Sequence, residues 1–357
     1  MDDTGPNRLA ISRRRAGTLG AATLGAGALA LPFVRRARAA EVLYINTWGG
    51  GWELAARSFL FDPFTAETGI EIRTIAPVSF AKLAAQVRTG VYEFDVTTLG
   101  VAELGRANQA RLIDTYDSSK IDPARLWPGA VTLNGVNSHA FANIIAYRED
   151  RMPQGGPRNW AEFWDTKRFP GPRSLQDYPG RVLAFALMAD GVPPDQLFPY
   201  DLDRAFRSLD RIKDHIRVWW SQSPQSQQLL RDGEVDLIGI WNTAAQTLVD
   251  QKQPIRLEFN QAVIDVATWV VARGTKRAAN AWKFIAFAVQ PERLAHFAAR
   301  NNYGPMNPAS AAFLPAEAAA RMPTSPENLA RGVVLNAEKL LPQLDTIAKR
   351  FEQWQST

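Results

Sequence analysis

Between residues 42 and 98 the spacing of apolar positions switches repeatedly between the strand period and the helix period. Val42 to Asn46 reads as a buried strand, and Gly49-Gly50-Gly51 ends it. From Trp52 to Glu67 the apolar residues Trp52, Ala55, Ala56, Phe59 and Leu60 recur at helical spacing. Asp62-Pro63 is expected to interrupt that helix, and Gly69 to terminate it. Ile70 to Ile75 alternates apolar and polar, the strand period. Ser79 is placed to cap a helix carrying Phe80, Leu83, Ala84 and Val87, which Gly90 closes. Phe94 to Thr98 is a third strand. Repeated strand–helix–strand units imply an α/β fold with a mostly parallel sheet covered by helices.

The middle of the chain, from about Ile144, is punctuated by Pro153, Gly155, Gly156, Pro157, Pro170, Gly171, Pro172, Pro179, Gly180, Pro193 and Pro194. Helices are expected over Trp160 to Asp165 and Arg204 to Ile212. Leu237 to Trp241 reads as a short buried strand and Ile255 to Phe259 as an edge strand. Val266 to Ala272 is a further apolar strand, followed by a long helix from Ala278 to Val289.

The first 39 residues change the charge picture. Ser12-Arg13-Arg14-Arg15 precedes an uncharged Ala-, Gly- and Leu-rich stretch from 16 to 34, and Ala37-Arg38-Ala39 offers a small-x-small cleavage site. Mild hydrophobicity and arginines beside the cut suit a twin-arginine export leader, although Ala16-Gly17 replaces the usual bulky apolar pair. The competing reading is an uncleaved membrane anchor. Residues 1–39 carry seven arginines against Asp2 and Asp3, which equals the whole chain's formal charge of +5. The remaining chain is therefore near neutral, and nothing in it favours nucleic acid or an anionic membrane. The length past the leader suits two domains. There is no cysteine, which removes thiolate metals, iron–sulfur clusters and cysteine nucleophiles.

Chemistry-bearing motifs are sparse. His139, His215 and His296 lie far apart, so no histidine metal site is expected, and no cofactor is implied. His296 lies on an amphipathic helix and reads as packed or solvated. No G-x-S-x-G elbow, P-loop or dinucleotide fingerprint follows a strand. Glu234 and Asp236 resemble a carboxylate pair but read as a solvated strand edge. Tryptophan beside loop-forming residues at strand ends is the positive signal. Trp48 precedes Gly49 and Gly50, and Trp241 precedes Asn242. In open α/β sheets ligands sit outside the carboxyl ends of strands, where helix N-termini offer free N–H groups. Each tryptophan alone reads equally well as a packing residue.

With those residues located, the chain resembles the periplasmic solute-binding proteins of ABC importers, and among them the spermidine/putrescine-binding branch. Phe64-Thr-Ala-Glu-Thr-Gly-Ile70 is similar to the branch's F-x-x-E-T-G-I, and Asn159-Trp160 to Trp164 to its S/N-W-A-D-L-W. Gly233-Glu-Val-Asp-Leu-Ile-Gly-Ile-Trp-Asn242 resembles G-E-V-x-L-x-x-x-W-N. Ala281-Trp-Lys-Phe-Ile-Ala-Phe resembles a late helix, and Asn302-Tyr-Gly-Pro-Met-Asn307 is similar to a G-Y-x-x-x-N loop. The resemblance implies two hinge-linked lobes, 41–143 plus 263–305 and 144–262 plus 306–357, with a ligand between them. It also implies a periplasmic monomer that hands a small molecule to a membrane permease.

Aligned with that branch, Tyr178 and Arg181 stand where acidic ligands occur, and Asp177 is the remaining acid. Asp265 replaces an aromatic and Ala267 a carboxylate, while Gly49 and Gly50 replace an acidic side chain. The ligand-binding set expected is Trp48, Gly49, Gly50, Asp177, Tyr178, Arg181, Trp241, Asn242, Asp265 and Tyr303. The mixed signs favour a zwitterion over a polycation, because a desolvated dication needs compensating carboxylates. Arg181 would suit a carboxylate or, alternatively, form a surface ion pair. An exported hydrolase with an unrecognised site is the other class of function.

Overall fold

The computed structural model describes residues 41–356. The stretch read as an export leader, including Arg13 and Arg14, lies outside the described residues. One mixed sheet organises the rest of the chain. Its strands are β1 (Val42–Asn46), β2 (Glu71–Ile75), β3 (Val96–Leu99), β4 (Val131–Thr132), β5 (Gly135–Arg148), β6 (Arg173–Gln176), β7 (Ile216–Trp220), β8 (Leu237–Trp241), β9 (Ile255–Val271), β10 (Gly304–Pro305) and β11 (Val333–Val334). The order along the sheet is β2-β1-β3-β9-β5-β8-β6-β7, with β4 and β10 paired to β5 and β11 to β9.

Both flanks are parallel, β2-β1-β3 at one end and β8-β6-β7 at the other. The middle is antiparallel, built from the two long strands β5 and β9, which belong to both halves of the sheet. The parallel flanks follow from the strand–helix alternation, since a crossover helix returns each strand in the same direction.

The residues read as two strands, Ile255–Phe259 and Val266–Ala272, fall in one continuous strand, β9, which ends at Val271. Residues 260–265 separate them in sequence, and the polar Asn260-Gln261 pair among these is absorbed as an irregularity. Pairing runs from Val136↔Trp269 to Asn143↔Val263, then resumes at Ile145↔Glu258. Four residues of β9 thus face a single unpaired position of β5, and Gln261 adopts a positive φ of 59°. Trp160 clamps this bulge. Its backbone N–H donates to Gln261 Oε1 at 3.0 Å and its indole N–H to the Gln261 carbonyl at 2.9 Å.

The expected interruption at Asp62-Pro63 takes a milder form. A π-turn over Arg57–Phe61 joins the helices Gly50–Ala56 and Asp62–Thr68. The widened turn accommodates the N–H that Pro63 cannot donate, so the chain continues as a helix. Ser79 caps Phe80–Thr89 by accepting from Lys82 N–H, and Gly69 and Gly90 close their helices in the left-handed region.

Two large apolar clusters lie against the sheet. One centres on Phe61, Phe64, Trp269 and Phe284, the other on Trp160, Phe163, Phe185 and Leu209. The C-terminal segment touches both halves of the molecule. β11 pairs with β9 at Val263 and Ile264, and Leu341 fills the space beside Gly105, where a Cβ would approach Leu341 Cδ1 to 2.6 Å. The last helix, Leu344–Ser356, sets Phe351 and Trp354 edge-on against Trp219. Among the described residues no helix is long and apolar enough to cross a membrane.

Candidate ligand-binding cleft

Four helices begin around one cavity of about 350 Å³ at the carboxyl ends of β1, β3, β6 and β8. That volume lies at the small end of the roughly 300–1,000 Å³ typical of small-molecule sites. Larger depressions of about 690 to 780 Å³ occur elsewhere. This one is distinguished by its position at strand ends, where the sheet supplies convergent loops and helix N-termini. Trp48 follows β1, Gly100 and Glu103 follow β3, Tyr178 and Arg181 follow β6, and Trp241 and Thr243 stand at the end of β8.

The long strands supply the floor. His139 opposes Ala267 and Phe141 opposes Asp265 across the β5–β9 ladder. The strand period puts all four on one face, and all four line the cavity. Trp52 and Tyr303 close the side. Tyr303 stacks on His139 at 4.0 Å between ring centroids, and Trp52 meets Phe297 edge-on at 5.5 Å.

Arg181 is buried and already partnered. Its Nη2 donates to Asp265 Oδ2 at 2.6 Å and its Nη1 to Gln176 Oε1 at 3.0 Å. The guanidinium stacks 4.2 Å from the Tyr178 ring centroid and 5.4 Å from that of Phe141. Gly180 leaves room for Tyr178 to fold over, since a Cβ there would come within 2.9 Å of the Tyr178 ring. Asp265 Oδ1 accepts from the Val266 N–H at 2.8 Å, so each of its carboxylate oxygens has a protein partner. Arg181 is thus in a buried ion pair rather than a surface one.

Unused capacity is more informative than used capacity. Trp52 Nε1, Trp241 Nε1 and Arg181 Nε are buried donors with no protein acceptor, and all three residues line this cavity. Leaving a buried donor unpaired costs about 1–3 kcal/mol each, and three such donors belong to residues of one cavity wall. Glu103, in the first turn of the helix Val101–Gln109, makes no hydrogen bond or ion pair among the described residues. His139 is uncharged. Burial pushes its pKa down to about 3, and its Nδ1 meets Ser138 Oγ at 2.8 Å, the hydroxyl donating on to the Ala267 carbonyl. Burial likewise raises Tyr178 to about 12 and Tyr303 further, keeping both neutral.

Of the residues singled out from sequence, Trp48, Tyr178, Arg181, Trp241, Asp265 and Tyr303 come together here. Gly49, Gly50, Asp177 and Asn242 are not in the lining. Gly49 takes a φ of 72° and ψ of −169°, a conformation open to glycine, and lets the chain turn from β1 into the helix at Gly50. Asp177 accepts from Gln355 Nε2 at 3.0 Å, at the C-terminal helix. Asn242 is a brace: its Oδ1 accepts from Ala142 N–H and its Nδ2 donates to the Asn302 carbonyl at 2.7 Å. Trp48 is positioned by its indole N–H, which donates to Thr98 Oγ1 at 2.9 Å.

Glu103, Trp52, His139, Phe141, Gln176 and Thr243 were missed in the sequence. Glu103 had a usable signal, since it follows the recognisable third strand by one helical turn. Among the described residues no group of three His, Asp or Glu could hold a metal.

Comparison with known proteins agrees with this architecture. The family model described as bacterial extracellular solute-binding protein matches residues 60–325. A gamma-aminobutyric acid-binding protein of Pseudomonas aeruginosa is 31% identical over 336 residues, covering 91% of this chain and 94% of the relative. An ABC transporter substrate-binding protein from Bradyrhizobium japonicum USDA 110 superposes with a TM-score of 0.84 at 31% identity, over 88% of this chain and 99% of that one. A GABA receptor superposes with a TM-score of 0.82 at 32% identity, over 88% and 98%. These relatives are two-lobed binding proteins and not enzymes, which removes the hydrolase alternative. The chain belongs to the bacterial extracellular solute-binding proteins and is the substrate-binding component of an ABC transporter for a small solute.

Proposed function

We propose that the solute is a small zwitterion with one ammonium and one carboxylate on a short flexible chain, of the 4-aminobutyrate kind. One observation carries this reading. Three residues whose buried N–H donors lack acceptors, and one carboxylate without a cation among the described residues, belong to the lining of the same cavity. A ligand carboxylate would receive the N–H groups of Arg181, Trp241 and Trp52, helped by the N-terminal dipoles of the surrounding helices. A ligand ammonium would pair with Glu103, and its methylenes would lie against Trp48, Phe141 and Tyr303. The names of the P. aeruginosa relative and of the GABA receptor point to the same chemistry.

The spermidine/putrescine branch, which the sequence resembles, is less well served. A dication needs two uncommitted carboxylates in a desolvated site, and the lining offers Glu103 alone, because Asp265 is bound to Arg181.

In the same reading, the lobes 41–143 plus 263–305 and 144–262 plus 306–357 close on the ligand about the β5–β9 irregularity. The closed monomer then docks on its permease in the periplasm, after export through the twin-arginine leader. Calorimetry with 4-aminobutyrate, 5-aminovalerate, putrescine and spermidine tests the ligand class. Micromolar binding of an ω-amino acid, with the polyamines at least a hundredfold weaker, is the expected result. Tighter binding of either polyamine would overturn it.

A further inference from the structure

The charged side chains of the cavity lining are Glu103, Arg181 and Asp265, two acids against one base. Histidine adds nothing, since His139 is neutral in its buried setting. Ordinarily a buried arginine in a cleft attracts anions of every kind, because its fork matches any carboxylate. Here the arginine is spoken for before a ligand arrives. Asp265 sits on β9, directly across the ladder from Phe141, and reaches Nη2 of Arg181 at 2.6 Å with both side chains almost fully buried. Gln176 takes Nη1, and the rings of Tyr178 and Phe141 flank the guanidinium. Only Nε is left without a partner.

We propose that Asp265 is a specificity-determining residue that closes the cleft to anions. By pairing with Arg181 in advance it leaves the cavity one negative charge in excess, so a net anion meets repulsion it cannot offset. A zwitterion escapes this, because its ammonium neutralises Glu103 while its carboxylate uses the remaining N–H donors. The selection acts against the competitor rather than for the ligand, as in other sites that discriminate by charge. It rests on the zwitterion reading of this cavity, and it adds which residue rejects diacids and amine-free acids of the same length.

The test compares 4-aminobutyrate, butyrate and glutarate on the full mature chain by calorimetry, with circular dichroism melts confirming the fold. Asp265→Asn frees Arg181 as a cation. Glutarate and butyrate should then bind at least tenfold more tightly than they bind the unmodified protein, while 4-aminobutyrate changes by less, so the preference for the zwitterion collapses. If all three ligands tighten by the same factor, Asp265 competes for Arg181 without discriminating, and the proposal is wrong. It is equally wrong if neither anion gains.

Two further variants guard against a folding artefact. Asp265→Ser also frees Arg181 and keeps an acceptor for the Val266 N–H, so it should reproduce the gain. The double variant Arg181→Gln, Asp265→Asn leaves an uncharged pair and should gain no glutarate binding. A gain there would show that space rather than charge admits the anion, and would overturn the inference. Failure of the unmodified protein to bind 4-aminobutyrate would strike the ligand reading instead. The change in glutarate affinity on substitution still decides the role of Asp265.

Discussion

The two charged ends of the cleft are built on opposite plans. At one end Arg181 is held by Asp265 and Gln176 and stacked on by Tyr178 and Phe141. At the other, Glu103 stands in the first turn of its helix with no partner among the described residues. One end is rigid, neutral overall and short of a single acceptor; the other is charged and open. The difference teaches that the first positions a ligand while the second supplies net electrostatic attraction. A pair assembled in advance loses little side-chain entropy when the ligand arrives. An unpaired carboxylate keeps its full pairing energy for the ligand.

Removing the rigid end should have the largest effect. Arg181→Ala strands Asp265, whose side chain is only 3% exposed, and breaking such a buried pair costs about 3–5 kcal/mol. A loss of that order is expected in chemical denaturation, together with loss of ligand binding. Denaturation midpoints equal to those of the unmodified chain would show that the arginine end is not the preassembled one.

The open end should behave in the contrary way. Glu103→Gln removes a charge that makes no hydrogen bond or ion pair among the described residues, so stability should fall only by the first-turn helix-dipole contribution, about 0.3–1 kcal/mol. Affinity for an amine-bearing ligand should fall by about 1.5–3 kcal/mol, the worth of a hydrogen bond to a charged group. Butyrate, lacking the amine, should not lose affinity. Calorimetry on the two ligands reads the contrast directly, and equal losses for both would erase the distinction between the ends.

Much of this plan was legible in the sequence, and the missing part has a physical reason. Periodicity matched β1 and β8 to the residue and β2 and β3 to within two residues, because half-buried and fully buried strands leave a local pattern. It divided β9 in two, because a bulge looks like a loop when its partner strand is out of view. Trp48, Tyr178, Arg181, Trp241, Asp265 and Tyr303 could be singled out because strand ends and family motifs mark them. The bond between Arg181 and Asp265, 84 residues apart, arises where the helix after β6 packs on β9, and no local pattern encodes it. Glu103 was passed over for the opposite reason: an isolated acid at a helix start is ordinary capping chemistry until the cavity around it is visible. Gly49, Gly50 and Asn242 carried real signals, yet the structure uses them to turn and brace the chain.

The floor between the two ends gives the smallest and most graded test. The contrast between the ends needs His139 to be neutral, since a charged imidazole would add a second cation beside Arg181. Burial holds its folded pKa at about 3, against about 6.5 for an exposed histidine. The unfolded chain therefore binds a proton below about pH 6.5 that the folded chain refuses until pH approaches about 3. The stabilisation tied to the neutral ring is complete well above about pH 6.5 and is lost progressively as pH falls toward about 3. One unit below the unfolded value, at about pH 5.5, the loss is about 1.4 kcal/mol. His139→Gln removes the proton-binding difference and should flatten the decline of unfolding free energy between about pH 6.5 and about pH 4.5. A slope unchanged by that substitution would mean that other groups set the acid sensitivity. The neutral floor would then lose its support, and with it the one-charge excess on which the cleft's selectivity depends.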